Sequence, residues 1–182
     1  LDTIHDMAFF YLDFLDALNL SDVHLVGQSL GGWISLEIAV RSTERIGRLS
    51  LLGAAGLNLP NVPRGDLFMW DKETRYRNMI HDSALADKLL SMPTTPEQEE
   101  IAIKNEFTTA RLSWEPRFFD PHLEKWLHRI NVPTLVIWGD KDPIFPLPYG
   151  EAVKKHIPGA RLAHGCRRAC CADDRDAAKS KR

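Results

Sequence analysis

The amino-acid sequence predicts an α/β fold with a parallel sheet, and three observations carry that prediction. Apolar runs of strand length lie at 23–27, 46–53 and 132–139, with helical patterns between them. The last two runs are almost continuously apolar, which is typical of parallel strands covered on both faces. Strands that alternate with helices favour an α/β sheet. A further strand is expected to open at 160–162.

The helical segments have recognisable starts. Residues 3–19 carry apolar side chains at helical spacing, and Thr3 with Asp6 resembles a capping box. A second helix is expected over about 30–41, directly after the first strand. A Thr-Pro pair at 95–96, with glutamine three residues after the threonine, predicts another helix start.

Composition argues against several classes of function. The chain has 182 residues and a formal net charge of −2, so nothing indicates a nucleic acid or an anionic membrane as partner. No apolar run could span a bilayer and no secretory signal is visible, so we expect a cytoplasmic protein. Cys166, Cys170, Cys171 and His164 lack the second spaced pair that is typical of a metal site. We therefore assign no metal and no cofactor.

A Gly-x-Ser-x-Gly motif at 27–31 is the most informative feature of the chain. On a sharp strand-to-helix turn, the hydroxyl of Ser29 would stand clear of the sheet, as a nucleophile requires. Side chains at Gly27 and Gly31 would collide, because strand and helix approach closely there. The backbone N–H of Leu30 would point at a developing oxyanion. The alternative, a structural serine in a Gly-rich turn, is disfavoured by this strand–turn–helix context.

The chain divides into four parts by composition. Residues 1–57 and 131–162 carry the strands of the expected core. Residues 58–130 begin with a Pro-rich connector and continue as helical stretches, which we expect to form a cap over the strand ends. Residues 163–182 contain no valine, isoleucine, leucine, methionine or aromatic residue, so we expect a disordered tail there. A change of coding frame near residue 163 would explain this aberrant end.

Three features, in this order, resemble the α/β-hydrolase superfamily. They are the serine motif at 26–32, the helical cap, and the sequence at 133–146 with its Gly-Asp-Lys-Asp turn. The resemblance implies Ser29 as the nucleophile. It implies Asp142 as the acid, since the family's acid lies three residues after the glycine, whereas Asp140 would cap the turn. The family's earlier strands, and the loop that gives a second oxyanion donor, have no counterpart here, so we expect a fragment of a larger enzyme.

The resemblance also implies a histidine after the last strand, in the chain order Ser, Asp, His. His164 is the nearest candidate, although it precedes Gly165 and the family's histidine follows a glycine. If a strand opens at Arg161, His164 would lie inside it, too early to reach Ser29.

The leading expectation is a hydrolase that acts through an acyl-serine intermediate on a small, fairly apolar ester or similar small-molecule substrate. A serine hydroxyl becomes a good nucleophile when an imidazole takes its proton and a carboxylate holds that imidazole. Carbon–carbon bond hydrolases, esterases, cofactor-free haloperoxidases and acyltransferases share this framework. The alternative is a non-catalytic ligand-binding member of the fold, or an inactive fragment. The oligomeric state stays open.

Overall fold

The computed structural model describes residues 1–166, with side chains to residue 165. Within that range, four strands form one sheet in the order β1-β2-β3-β4, and every neighbouring pair is parallel. The strands are β1 (Val23–Gln28), β2 (Ile46–Leu52), β3 (Thr134–Gly139) and β4 (Arg161–Cys166). The predicted parallel α/β sheet is confirmed.

The helices occupy the predicted intervals. They are α1 (Ile4–Ala17) and α2 (Leu30–Arg41) on either side of β1, then α3 (Lys72–Met79), α4 (Ser83–Ser91), α5 (Pro96–Ser113) and a 3-10 helix (Glu124–Arg129) between β2 and β3, and α6 (Leu147–His156) before β4. Both predicted capping boxes are present, at Thr3 and Thr95. None of the helices within residues 1–166 is long and apolar enough to cross a membrane. The boundaries of core and cap at residues 57 and 130 stay a prediction.

The core lies between α2 and the middle of the sheet. Leu36 and Ile38 of α2 are buried, as are Leu51 of β2 and Val136 of β3. The apolar runs in β2 and β3 follow from this position, because parallel strands bury side chains on both faces. The sheet therefore holds the carboxyl ends of β1, β2 and β3 together at one edge.

The flank formed by α1 and β1 differs from the core. Of the apolar side chains at helical spacing in α1, Leu15 is buried, together with Ile4 and Ala8, whereas Tyr11 and Phe14 are exposed. On β1, Val26 is 59% exposed. Among the described strands β1 pairs only with β2, so its other edge is open. An open edge beside apolar side chains is a hazard for aggregation.

Residues 163–166 belong to β4, so the expectation of a disordered tail from residue 163 is wrong for these residues. Its backbone pairs with β3 from Arg161 to Cys166, although the sequence loses its large apolar residues after Leu162. Ladder hydrogen bonds join backbone groups, and an exposed edge strand needs no apolar side chains to form them. The expectation of disorder over 167–182 lies outside the described residues.

Candidate active site

Ser29 lies between β1 and α2 in a backbone conformation that few non-glycine residues adopt. Its φ is 50° and its ψ is −117°. Strain of this kind costs roughly 1–3 kcal/mol and clusters at functional sites. Its N–H donates to the carbonyl of Leu52 at 3.0 Å, and its carbonyl accepts from the N–H of Ala55 at 3.0 Å. The turn after β2 therefore holds Ser29 in this strained geometry.

The two glycines of the motif differ in how closely other atoms approach them. A Cβ on Gly27 would lie 2.4 Å from the carbonyl oxygen of Gly31 and from Oγ of Ser35, so the predicted collision is present there. The same prediction for Gly31 is wrong, because a Cβ there would meet nothing within 4 Å. Gly31 faces Gly27 with its carbonyl oxygen. The second close approach belongs to Gly32, whose Cβ would lie 2.5 Å from Cβ of Ala54.

Leu30 is the first residue of α2. Its backbone N–H is therefore one of the four at a helix start that have no intrahelical acceptor. The partial positive charge at this end of the helix favours an anion beside it. These properties suit a donor to an oxyanion formed at Ser29, and that role stays a prediction.

Asp142 occupies the buried end of the turn that follows β3. Its side chain is buried, and its Oδ1 accepts from the backbone N–H groups of Ile144 at 2.8 Å and Phe145 at 3.0 Å. Burial raises the pKa of Asp142, and these two hydrogen bonds partly oppose the rise. The turn is thus capped by Asp142 itself, which corrects the expectation that Asp140 does so.

The second oxygen of Asp142 is free. Oδ2 is buried and has no hydrogen-bond partner among the described residues. It faces the turn after β2, because a Cβ on Gly53 would lie 3.3 Å from it. Gly53 follows Leu52, whose carbonyl accepts from Ser29. Ser29 and Asp142 therefore border the same short turn, and their roles as nucleophile and acid stay a prediction.

His164 does not join them. It lies within β4, and its Nδ1 is 2.7 Å from Oδ1 of Asp140, with 51% and 43% of the two side chains exposed. β4 is three strand positions from β1, which at ~4.8 Å per strand separates them by ~14 Å. The expectation that His164 completes a triad with Ser29 and Asp142 is corrected. The pairing of β4 with β3 continues past residue 164, so the His164 imidazole is held beside Asp140 and not beside Asp142.

An aromatic cavity lies in the helical region between β2 and β3. Its volume is about 500 Å³, and its walls include Phe68, Phe107 and Phe118. Phe118 stacks on Phe68 with ring centroids 4.9 Å apart and contacts Phe145 at 6.4 Å. Because the N–H of Phe145 donates to Asp142, aromatic packing connects the cavity wall to the buried carboxylate.

A second polar cluster was not predicted from the sequence. His5, Glu37 and Asp120 come together from three separate segments, and each offers a ligand atom within 4.8 Å of the others. Their spacing along the chain carries no motif. One signal was available, since Glu37 is a charged residue in the otherwise apolar interior of α2 and is 2% exposed. Buried carboxylates require partners.

Comparison with known proteins agrees with this architecture. The chain matches the family model for the alpha/beta hydrolase fold over residues 2–164. It is 30% identical over 161 residues to a 2-hydroxymuconate semialdehyde hydrolase of Pseudomonas sp. (strain CF600), covering 81% of this chain and 55% of that protein. It is 27% identical over 174 residues to a 2-hydroxy-6-oxo-6-phenylhexa-2,4-dienoate hydrolase of Burkholderia cepacia, covering 81% and 56%. The chain thus spans little more than half the length of these relatives.

A solved structure shows the same fold. The esterase EaEST of Exiguobacterium antarcticum superposes with a TM-score of 0.67 at 20% identity, covering 97% of this chain and 70% of that one. At this identity the likeness concerns the fold alone. The sheet order, the serine turn between β1 and α2 and the match over residues 2–164 have one explanation: the chain belongs to the alpha/beta hydrolase fold family.

Proposed function

We propose that the whole protein hydrolyses a small molecule through Ser29, with Asp142 as the acid that holds a catalytic imidazole. The observation that carries this proposal is Oδ2 of Asp142, a buried acceptor with no partner among the described residues. In a Ser-His-acid arrangement, the acid accepts a hydrogen bond from Nδ1–H of the imidazole. Leaving such an oxygen unpaired costs about 1–3 kcal/mol, which a functional partner would recover.

Ser29, the N–H of Leu30 and an imidazole held by Asp142 each have a role in the reaction. The imidazole takes the proton of Ser29 Oγ, and the oxygen attacks a carbonyl carbon to give a tetrahedral intermediate. The N–H of Leu30 donates to the negative oxygen of that intermediate, and one such donor is worth around 10²–10³ in rate. The intermediate collapses with protonation of the leaving group by the imidazolium. Water then releases the acyl group and returns the proton to the serine.

The substrate we propose is a small, fairly apolar molecule with an ester or a ketone carbonyl. An apolar substrate is supported only indirectly by the aromatic cavity of about 500 Å³, because its walls include Phe68 and Phe118 but neither Ser29 nor Asp142. The relatives named above are hydrolases of a semialdehyde and of an oxo-dienoate, and the solved structure is an esterase, so each name includes a substrate class with a carbonyl group.

A second candidate is a protein that binds such a molecule without turning it over. The pairing of His164 with Asp140 favours this candidate for the 182-residue chain, because it takes the imidazole nearest in sequence away from Asp142. In this case Ser29 and Asp142 would border a binding site that lacks a base.

Imidazole supplied in solution distinguishes the two. We expect the chain to release nitrophenolate from a nitrophenyl ester when imidazole is added, because free imidazole can take the proton of Ser29 in place of a histidine. The matched control is Ser29→Ala with the same imidazole, which subtracts the uncatalysed reaction. Mass spectrometry should find the acyl group on Ser29. Release from Ser29→Ala as fast as from the unsubstituted chain would remove the serine mechanism, and ester binding without release above this background would favour the binding protein.

A further inference from the structure

The cluster of His5, Glu37 and Asp120 joins three parts of the fold. His5 lies in the first turn of α1, Glu37 in the middle of α2, and Asp120 where the chain returns from the helical region to the core. Nε2 of His5 is 2.9 Å from Oδ2 of Asp120 and 3.6 Å from Oε1 of Glu37. At eight residues beyond Ser29 on α2, Glu37 lies ~12 Å along the helix axis from the serine. The cluster is separate from the site described above.

These separations match those of ligands around one metal ion. Zinc binds imidazole nitrogen and carboxylate oxygen at about 2.0–2.2 Å, so two ligands of a tetrahedral ion lie roughly 3.3 Å apart. The two distances from His5 fall on either side of that value. One imidazole with two carboxylates suits zinc better than magnesium or calcium, which prefer oxygen ligands throughout.

Neighbouring groups orient both carboxylates. Oε1 of Glu37 accepts from Nε1–H of Trp33 at 3.0 Å, and its Oε2 accepts from a guanidinium N–H of Arg41 at 2.5 Å. Each carboxylate oxygen has two lone pairs, so Oε1 retains one for an ion. Such outer hydrogen bonds fix metal ligands in place and raise affinity.

Asp120 is held in the same manner. Its Oδ1 accepts from the backbone N–H of His122 at 2.7 Å, which leaves Oδ2 directed at His5. Burial by itself would raise the pKa of Asp120, but hydrogen bonds from His122 and His5 bring it below its ordinary value. The carboxyl is therefore ionised at neutral pH, as a metal ligand must be.

The charges and the space around the cluster are compatible with a cation. Two adjacent carboxylates carry two negative charges, and Arg41 balances one of them through Glu37. A metal ion bound by both carboxylates would balance the second. A cavity of about 380 Å³ borders the cluster and has room for a water molecule as the fourth ligand.

We propose that His5, Glu37 and Asp120 form a binding site for a zinc ion, which fastens the returning chain to α1 and α2. The N–H of Asp120 donates to the carbonyl of Gly56 at 3.0 Å, so the site lies directly beside the place where the helical region rejoins the core. The ion is structural, because the cluster lies away from Ser29 and at the junction of three segments. This proposal does not depend on the proposed hydrolase activity.

Equilibrium dialysis with metal analysis tests the proposal. The chain carries Cys→Ser substitutions at 166, 170 and 171, which remove competing thiolates, and is used dilute after treatment with a chelator. We expect one zinc ion per folded chain and no such binding in urea, since the ligands meet only in the fold. His5→Ala and Asp120→Asn should each weaken binding at least about tenfold. His128→Ala is the matched control, because His128 lies outside the cluster, with its Nδ1 2.8 Å from the carbonyl of Lys125 and its ring against Trp126.

A second measurement uses the chain with His5, Glu37 and Asp120 intact, so its result does not depend on whether the variants fold. Diethyl pyrocarbonate modifies accessible imidazoles, and mass spectrometry counts the modification at each histidine. Zinc should protect His5 and leave His128 as reactive as before. Zinc that binds without protecting His5, equal binding by His5→Ala and the chain with His5 intact, or no bound zinc in the folded chain would each overturn the proposal.

Discussion

The turn after β3 carries two carboxylates that differ in burial and in hydrogen-bond partners. Asp142 at the buried end is 4% exposed, takes two backbone hydrogen bonds on Oδ1 and keeps Oδ2 without a partner among the described residues. Asp140, two positions earlier, has a 43% exposed side chain and binds His164. The acid that the family resemblance selects is thus the buried one, and the nearest imidazole lies with the exposed one.

The difference indicates which carboxylate has a function to perform. An exposed pair such as Asp140 with His164 is inexpensive to form and contributes little to stability. A buried oxygen without a hydrogen bond lowers stability, and it persists where the fold holds it for another purpose. Three predictions about variants of Asp142, Asp140 and His164 test this contrast.

The largest difference should be in reactivity. In the imidazole-supported ester reaction, we expect Asp142→Asn to lower the Ser29-dependent rate by roughly 10²-fold or more, because the amide cannot accept from imidazole and stabilise its charged form in the same way. Asp140→Asn should leave the rate within about twofold, since its carboxylate is exposed and faces β4. Initial rates of nitrophenolate release measure both variants. Equal losses at the two positions would contradict the contrast.

A smaller difference should appear in stability against pH. Burial raises the pKa of Asp142 in the folded chain, whereas the unfolded carboxyl titrates near 3.8. The folded state therefore holds the proton more tightly, so the free energy of unfolding falls as pH rises from below 3.8 through the raised pKa. Asp142→Asn removes this loss, and we expect it to stabilise the chain by about 1 kcal/mol at neutral pH.

Urea unfolding of the wild-type chain and Asp142→Asn over a pH series measures that effect. The gap between the two unfolding free energies should widen from acid to neutral pH and then stay constant. A gap that is the same at every pH would mean that ionisation of the buried carboxyl has no part in it.

The smallest effect should come from the exposed pair. We expect Asp140→Asn and His164→Ala to change the free energy of unfolding by less than about 0.5 kcal/mol each, because exposed ion pairs contribute little. Urea midpoints at neutral pH measure both. A change as large as that of Asp142→Asn would show that the two ends of the turn are not as different as their surroundings indicate.

Local patterns in the sequence predicted most of the elements. The strands, both capping boxes and the turn at Ser29 each depend on residues within a few positions of one another, and all are present. Gly27 was interpreted correctly for the same reason, since strand and helix meet within its own motif. The same local argument was wrong for Gly31, which has open space around it, and the helical spacing of α1 did not show that Tyr11 and Phe14 are exposed.

By itself, the sequence determined a parallel sheet and a serine on the turn between strand and helix, and its resemblance to a family led to the prediction of Asp142 rather than Asp140 as the acid. Only the tertiary structure decided which oxygen of Asp142 is free, that His164 is held in β4 beside Asp140, and that His5, Glu37 and Asp120 meet. The physical reason is distance along the chain. Turns and caps follow from neighbouring residues, whereas burial and pairing of charges follow from which segments the packed sheet and helices bring together.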